Sequence, residues 1–297
     1  MTAIRFFGVR GSTPCSCEEN RRYGGNTACV VLEAAGSEPI VLDLGTGLRL
    51  YGRTFAQDEP FRGHVLVTHL HWDHVQGLPF FEPINRTGAR MDLWGPKQED
   101  GTSLETAFRS FMAPPYFPVG LEAFAGEFEF HDLGEDEVSI GDAKVRVRFV
   151  PHIGPTCGFR VELDGVSVAY IPDHQQPLNG AMTIDDAVLE LCEGVDVLIH
   201  DAQYTEEEWA RKSHWGHCTI SYALHVARES GAKRLVLFHH DPAHSDELVD
   251  RVVEEMRDSP KSWCLEQVVA AHEGLELELG ASSGPGVSGS GEREAMR

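Results

Sequence analysis

Basic residues are scarce in this chain: 25 Lys and Arg stand against 47 Asp and Glu in 297 residues, a formal net charge of −22. That surplus repels polyanions at long range, and no Lys/Arg cluster stands out to offset it. A long nucleic acid and an anionic membrane are therefore disfavoured as partners. Long hydrophobic runs are missing too, and none reaches the length of a bilayer span. The first residues, Met1-Thr2-Ala3-Ile4-Arg5-Phe6-Phe7, lack the charged-then-apolar layout of a secretory signal, so a cytoplasmic location is the default expectation. Cysteine supplies no disulfide framework. Seven are scattered at 15, 17, 29, 157, 192, 218 and 264, an odd number that suits a reducing compartment. The close pair Cys15-x-Cys17 gives only half of a tetrahedral zinc site and reads as a loop with two free thiols.

What is present is an apolar fraction of 41% with 30 glycines, the composition of a globular protein with many turns. Alternating or apolar segments predict strands over 3–7, 28–33, 39–44, 64–68 and 91–94, with helices over 47–52 and 103–112. A second block of strands follows over 127–131, 143–150, 158–163 and 166–171, and Asp164-Gly165 marks a hairpin between the last two. Helices over 184–192, 205–212, 219–230 and 245–257 then alternate with strands over 195–200, 234–238, 265–270 and 275–279. Strands followed by helices, once in each half, predict an α+β protein. The architecture is a four-layer αββα sandwich of two mixed sheets, one domain over 1–280. Residues 281–297, rich in Ser and Gly, read as a flexible tail.

The densest chemistry lies at Thr68-His69-Leu70-His71-Trp72-Asp73-His74, directly after an apolar strand. On extended chain, residues two apart point the same way, so His69 and His71 can grip one cation. Once the chain turns helical, Asp73 and His74 point elsewhere and can hold a second. Imidazoles with a carboxylate suit zinc, ahead of manganese or iron. Further His and Asp residues end later strands: His152, Asp173, His200-Asp201 and His239-His240. Two cations need more ligands than residues 69–74 provide, and one carboxylate between them would bridge.

The order His69-x-His71-x-Asp73-His74, His152, Asp173, His239 resembles the metallo-β-lactamase superfamily, as does the turn Asp43-Leu44-Gly45-Thr46-Gly47. The resemblance covers about residues 3–280. It implies a dinuclear zinc site at one sheet edge, with His69, His71 and His152 on one metal, Asp73, His74 and His239 on the other, and Asp173 bridging. His239 is chosen over His240 because the family's last ligand directly follows an apolar strand. Asp43 would brace the metal loop. Ile199-His200-Asp201-Ala202-Gln203 with Gly216-His217-Cys218-Thr219 resembles the phosphodiesterase branch, which holds ribonuclease Z enzymes, phosphoribosyl cyclic phosphodiesterases and cyclic nucleotide phosphodiesterases. Asp201 stands where that branch carries Glu, one methylene longer. Cysteine does not occupy the second-metal position usual in class B lactamases. Only residues 153–172 separate His152 from Asp173, which leaves no room for the long arm with which the tRNA-processing members clamp tRNA.

The resemblance thus implies hydrolysis of a small phosphodiester, a cyclic nucleotide or related cyclic phosphate, by a hydroxide bridging the metals. Asp73 doubles as its hydrogen-bond acceptor, and His217, oriented by Asp201, protonates the leaving oxygen. Alternatives are a lactone or thioester hydrolase on the same fold, and a metal-holding sensor without turnover. His174 and His214 are candidates for phosphate contact, as are Tyr23 with Arg21 or Arg22, whereas His200 reads as scaffold. Phe111 to Phe117 reads as a helix end packed in the core or as the wall of a base-stacking pocket. Homodimers are common in the branch, which leaves a homodimer open here.

Overall fold

The computed structural model describes residues 1–280; the tail expected over 281–297 lies outside the described residues. The first half lays down β1 (Thr2–Gly8), β2 (Cys29–Ala34), β3 (Ile40–Leu42), α1 (Leu48–Gly52), β4 (Arg62–Leu66), α2 (Trp72–Val75), β5 (Arg90–Pro96), α3 (Leu104–Phe111) and β6 (Glu127–Leu133). The second half begins with β7 (Glu137–Ile140), β8 (Ala143–Phe149), β9 (Cys157–Leu163), β10 (Val166–Ile171), α4 (Asp186–Cys192) and β11 (Val197–Asp201). It continues with α5 (Glu206–Lys212), α6 (Ile220–Glu229), β12 (Arg234–Phe238), α7 (Asp246–Asp258), β13 (Gln267–Ala270) and β14 (Glu276–Leu279).

These strands form two seven-stranded sheets, ordered β14-β1-β2-β3-β4-β5-β6 and β13-β12-β11-β10-β9-β8-β7. Each sheet is antiparallel at one end and parallel at the other: β14 to β3 and β7 to β10 alternate in direction, while β3 to β6 and β10 to β13 run parallel. The facing sides bury Ile4, Phe6, Val30, Val145, Phe159 and Phe238 between the sheets. Outside the first sheet, Tyr51, Val65, Phe81 and Phe108 pack beneath α1 to α3. Outside the second, Val188, Leu191, Leu224 and Val253 pack beneath α4, α6 and α7. The helices begin at side-chain caps where the sequence offers them: Ser103, Thr205, Thr219 and Ser245 each accept from a backbone N–H of the first turn.

The αββα sandwich is as expected, and the expected elements recur within a few residues. One strand escaped the sequence reading. Glu137-Val138-Ser139-Ile140 is too short and too polar to stand out, and it becomes β7 only because β8 pairs with it at Val138↔Val145. At the Asp164-Gly165 hairpin both residues have positive φ, 51° and 75°, and Leu163 pairs directly with Val166. Gly165→Ala places a Cβ in the left-handed region and should cost about 1 kcal/mol, seen as a Tm roughly 2 °C lower.

Candidate metal centre

Loops at one edge of the two facing sheets carry the cluster. Asp43 follows β3, residues 68–74 follow β4, His152 follows β8, Asp173 follows β10, Asp201 ends β11 and His239 follows β12. In open sheets with parallel strands, the carboxyl ends are where ligands bind. Two of the site's residues adopt positive φ without being glycine, Asp43 at 61° and His239 at 60°. Such backbone is costly and persists where surrounding contacts hold it.

All seven residues singled out in the sequence as metal ligands converge, in two adjoining sets. His69, His71, His152 and Asp173 form one group able to hold a metal ion; Asp73, His74 and His239 form another. In the first set, His69 Nε2 lies 2.8 Å from His71 Nδ1, and His152 Nε2 lies 3.3 Å from the same atom. In the second, His74 Nε2 and His239 Nε2 are 3.3 Å apart, and each is within 3.3 Å of Asp73 Oδ2. Asp173 faces both: Oδ1 is 3.1 Å from His74 Nε2 and 3.3 Å from His239 Nε2, while Oδ2 is 3.4 Å from His152 Nε2 and 3.7 Å from His69 Nε2. Ligand atoms about 2.0–2.1 Å from a shared zinc ion lie roughly 3.3 Å apart in a tetrahedron. His239, not His240, joins the group; His240 turns its Nε2 to the carbonyl of Ala271.

Buried polar atoms argue that the cluster suits a cation. Among the described residues, Asp173 Oδ1 is buried with no hydrogen-bond partner. The imidazoles are held from behind: His74 Nδ1 donates to Asp43, His152 Nδ1 to the Gly216 carbonyl and His239 Nδ1 to Gln203 Oε1, at 2.7–2.8 Å. His69 Nδ1 meets the Thr68 hydroxyl at 3.0 Å. With a cation bound, each contact would leave Nε2 free to ligate it, the arrangement metal-binding histidines need. Without one, burial lowers the His74 pKa, but Asp173, Asp73 and Asp43 outweigh it and hold it well above 6.5. Burial opposes ionisation of Asp173, but His239, His74 and His69 outweigh it and hold the carboxyl well below its ordinary range. Burial pushes His152 down to about 4, so its ring is neutral at pH 7. Neutral nitrogens and ionised carboxylates, with no thiolate, form a donor set for zinc, manganese or iron. Chelator treatment should lower the Tm by roughly 8 °C, and added zinc should restore it. This follows from about 4 kcal/mol of linkage at a thousandfold excess over Kd.

Beside the cluster, His217 Nδ1 donates to Asp201 Oδ2 at 2.9 Å, so the aspartate bridges the gap despite its shorter side chain. His217 also forms a group with Asp173 and His239. Burial pushes its pKa down, but Asp201 more than offsets this and raises it above 6.5. His200 is scaffold, its Nδ1 donating to the Asp201 carbonyl. The remaining candidates fall in different places. His174 cannot reach a phosphate, because it is buried against His200 and Tyr222. Tyr23 and Arg22 grip Asp250 of α7, and Arg21 pairs with Glu18 on the surface. His214 lies exposed beside Trp215. Of the stretch from Phe111 to Phe117, Met112 is core and Phe111 and Phe117 pack against it, but Tyr116 is exposed. The supporting partners Ser12, Thr68, Tyr170 and Gln203 were missed as such; Ser12 N donates to Asp73 Oδ2 at 2.7 Å, and Gln203 Nε2 donates to Ser12 Oγ.

Two seven-stranded mixed sheets with outer helices and a His/Asp cluster at one edge define the metallo-β-lactamase fold. The model of the beta-lactamase superfamily domain matches residues 40–240, and the chain belongs to that family. Ribonuclease Z of Haloarcula marismortui is 26% identical over 322 positions, spanning 93% of this chain and 96% of that protein. Among solved structures, a diphosphatase of the PhnP family matches with TM-score 0.68 at 20% identity, covering 94% of this chain and 98% of that one. The metallo-beta-lactamase fold protein YhfI of Bacillus subtilis matches with TM-score 0.68 at 16% identity, covering 94% and 100%. Among the described residues, no helix is long and apolar enough to cross a membrane.

Proposed function

We propose that this protein is a dinuclear-metal phosphodiesterase acting on a small phosphodiester, a cyclic nucleotide or related cyclic phosphate. The observation that carries the reading is Asp173, a buried carboxylate shared between two sets of imidazoles, with the His217–Asp201 pair alongside. A pair of bound divalent cations, zinc by choice of donors, acidifies water and neutralises charge on phosphoryl oxygens. His69, His71 and His152 would hold one cation and Asp73, His74 and His239 the other, with Asp173 placed to serve either. Asp73, braced by Ser12, also accepts a hydrogen bond from the attacking water. His217 keeps its proton to higher pH because the contact with Asp201 outweighs the effect of burial, and Nε2 delivers that proton to the departing oxygen.

A relative named ribonuclease Z raises RNA as the rival substrate. Two features of this chain favour the smaller ester. Its net charge is −22, and residues 153–172 are used up by β9, β10 and their short links. The test is to assay zinc-loaded protein on cyclic mononucleotides, bis(p-nitrophenyl) phosphate, an RNA transcript, a lactone and a thioester. His217→Ala should lower phosphodiester kcat about 100-fold or more at unchanged metal content. Asp201→Asn removes the charge that raises the His217 pKa, so the alkaline limb of the pH profile should move to lower pH. Turnover confined to the lactone or thioester, and untouched by His217→Ala, would sink the reading.

A further inference from the structure

Trp72 stands between two residues of the cluster, His71 and Asp73, yet it is 74% exposed. Tyr116 is 75% exposed and Phe80 58%. Large bare aromatic surfaces gathered beside a candidate centre mark a binding groove more often than they mark chance. Trp72, Phe111 and Tyr116 line two adjoining clefts. One, of about 460 Å³, is closed by Val75, Phe80 and Phe117. The other, of about 700 Å³, runs to Gly154-Pro155, just beyond His152. Both volumes fall in the range of small-molecule sites, roughly 300–1,000 Å³.

The charge of these clefts narrows the occupant. Among the described residues, neither is lined by Lys or Arg, and the charged side chains present are Glu99 and Asp100. A second phosphate would meet only carboxylates there. A flat, uncharged ring with N–H donors fits, because its face stacks on indole and phenol and its donors suit carboxylate acceptors. We propose that Trp72 and Tyr116 are the walls of a nucleobase subsite beside the metal motif, next to it in the chain through Leu70, Trp72 and Gly154. The substrate is then a mononucleotide ester read by stacking, not a strand with flanking phosphates. The inference rests on the phosphodiesterase reading for the ester and adds the group that the ester carries.

Equilibrium binding tests it without turnover. Calorimetric titration of the zinc-loaded protein with adenosine 5′-monophosphate and with ribose 5-phosphate isolates the contribution of the base. The native protein should prefer the nucleotide about tenfold. In the Trp72→Ala, Tyr116→Ala double variant that preference should shrink to within about twofold. Tyr116→Ala alone, outside the metal motif, should cut it roughly threefold, and Trp263→Ala, 78% exposed beyond α7, should leave it in place. Equal binding of the two ligands by the native protein, or an undiminished preference in the double variant, would overturn the subsite. Hydrolysis decides the other question separately: a protein that prefers the nucleotide but cleaves no phosphodiester keeps the subsite and loses the reaction.

Discussion

Asp173→Ala should retain at most one metal ion per chain and lose phosphodiester turnover by about 1,000-fold or more. The Asp173 carboxylate faces both sets. Its Oδ1 faces His74 and His239, and its Oδ2 faces His152 and His69. Alanine removes the negative charge that offsets two adjacent cations, so their mutual repulsion is met by Asp73 alone among the seven. Asp173→Asn keeps the volume and one carbonyl oxygen, and should fall between alanine and the native protein. Elemental analysis after gel filtration gives the metal count, and kcat on bis(p-nitrophenyl) phosphate gives the chemistry. Far-UV circular dichroism shows whether the fold survives. A variant that kept two ions and native kcat would remove the shared carboxylate from the mechanism.

Asp43→Ala should be the most damaging change to stability among those considered, at about 4 kcal/mol or more. Asp43 is fully buried and touches no metal position; it satisfies donors behind the site. It accepts from Thr68 N at 2.8 Å, the Thr68 hydroxyl at 3.0 Å, His74 Nδ1 at 2.8 Å and the Tyr170 hydroxyl at 2.9 Å. Tyr170 belongs to β10 and Thr68 follows β4, so one carboxylate ties the two sheets where they meet the centre. Alanine strands these donors in the interior at about 1–3 kcal/mol for each one left unpaired. It also leaves an alanine at φ 61°. Asp43→Asn, which tolerates that backbone and still accepts, should lose only about 1–2 kcal/mol. Denaturant titration compares them, and a loss under about 1 kcal/mol for alanine would contradict this account.

The cluster residues were legible because metal chemistry restricts residue type and spacing together. His69, His71, Asp73 and His74 fall within six residues, and His152, Asp173 and His239 each follow an apolar strand. The groups that hold them were not legible as such. Ser12, Gln203 and Tyr170 are ordinary polar residues whose partners lie far off in sequence, and only the sheet packing brings them together. His174 misled because a strand-end histidine looks the same whether its ring turns toward a cleft or into the second core. The strands read well wherever burial alternates, and β7 did not, since four residues at a sheet edge carry little hydrophobic signal.

The last pairing in the first sheet joins β14 to β1, with Thr2 opposite Leu279. As the nascent polypeptide leaves the ribosome, β1 therefore waits with one flank bare until Glu276–Leu279 have been made. The histidines at 69–74 emerge before 152, 173 and 239, so the seven residues can converge only after β12 has been made. None of the residues in the closing β14–β1 pair belongs to the cluster, so the sheet should close without a cation, and a metal-starved cell would hold folded protein ready to take up zinc.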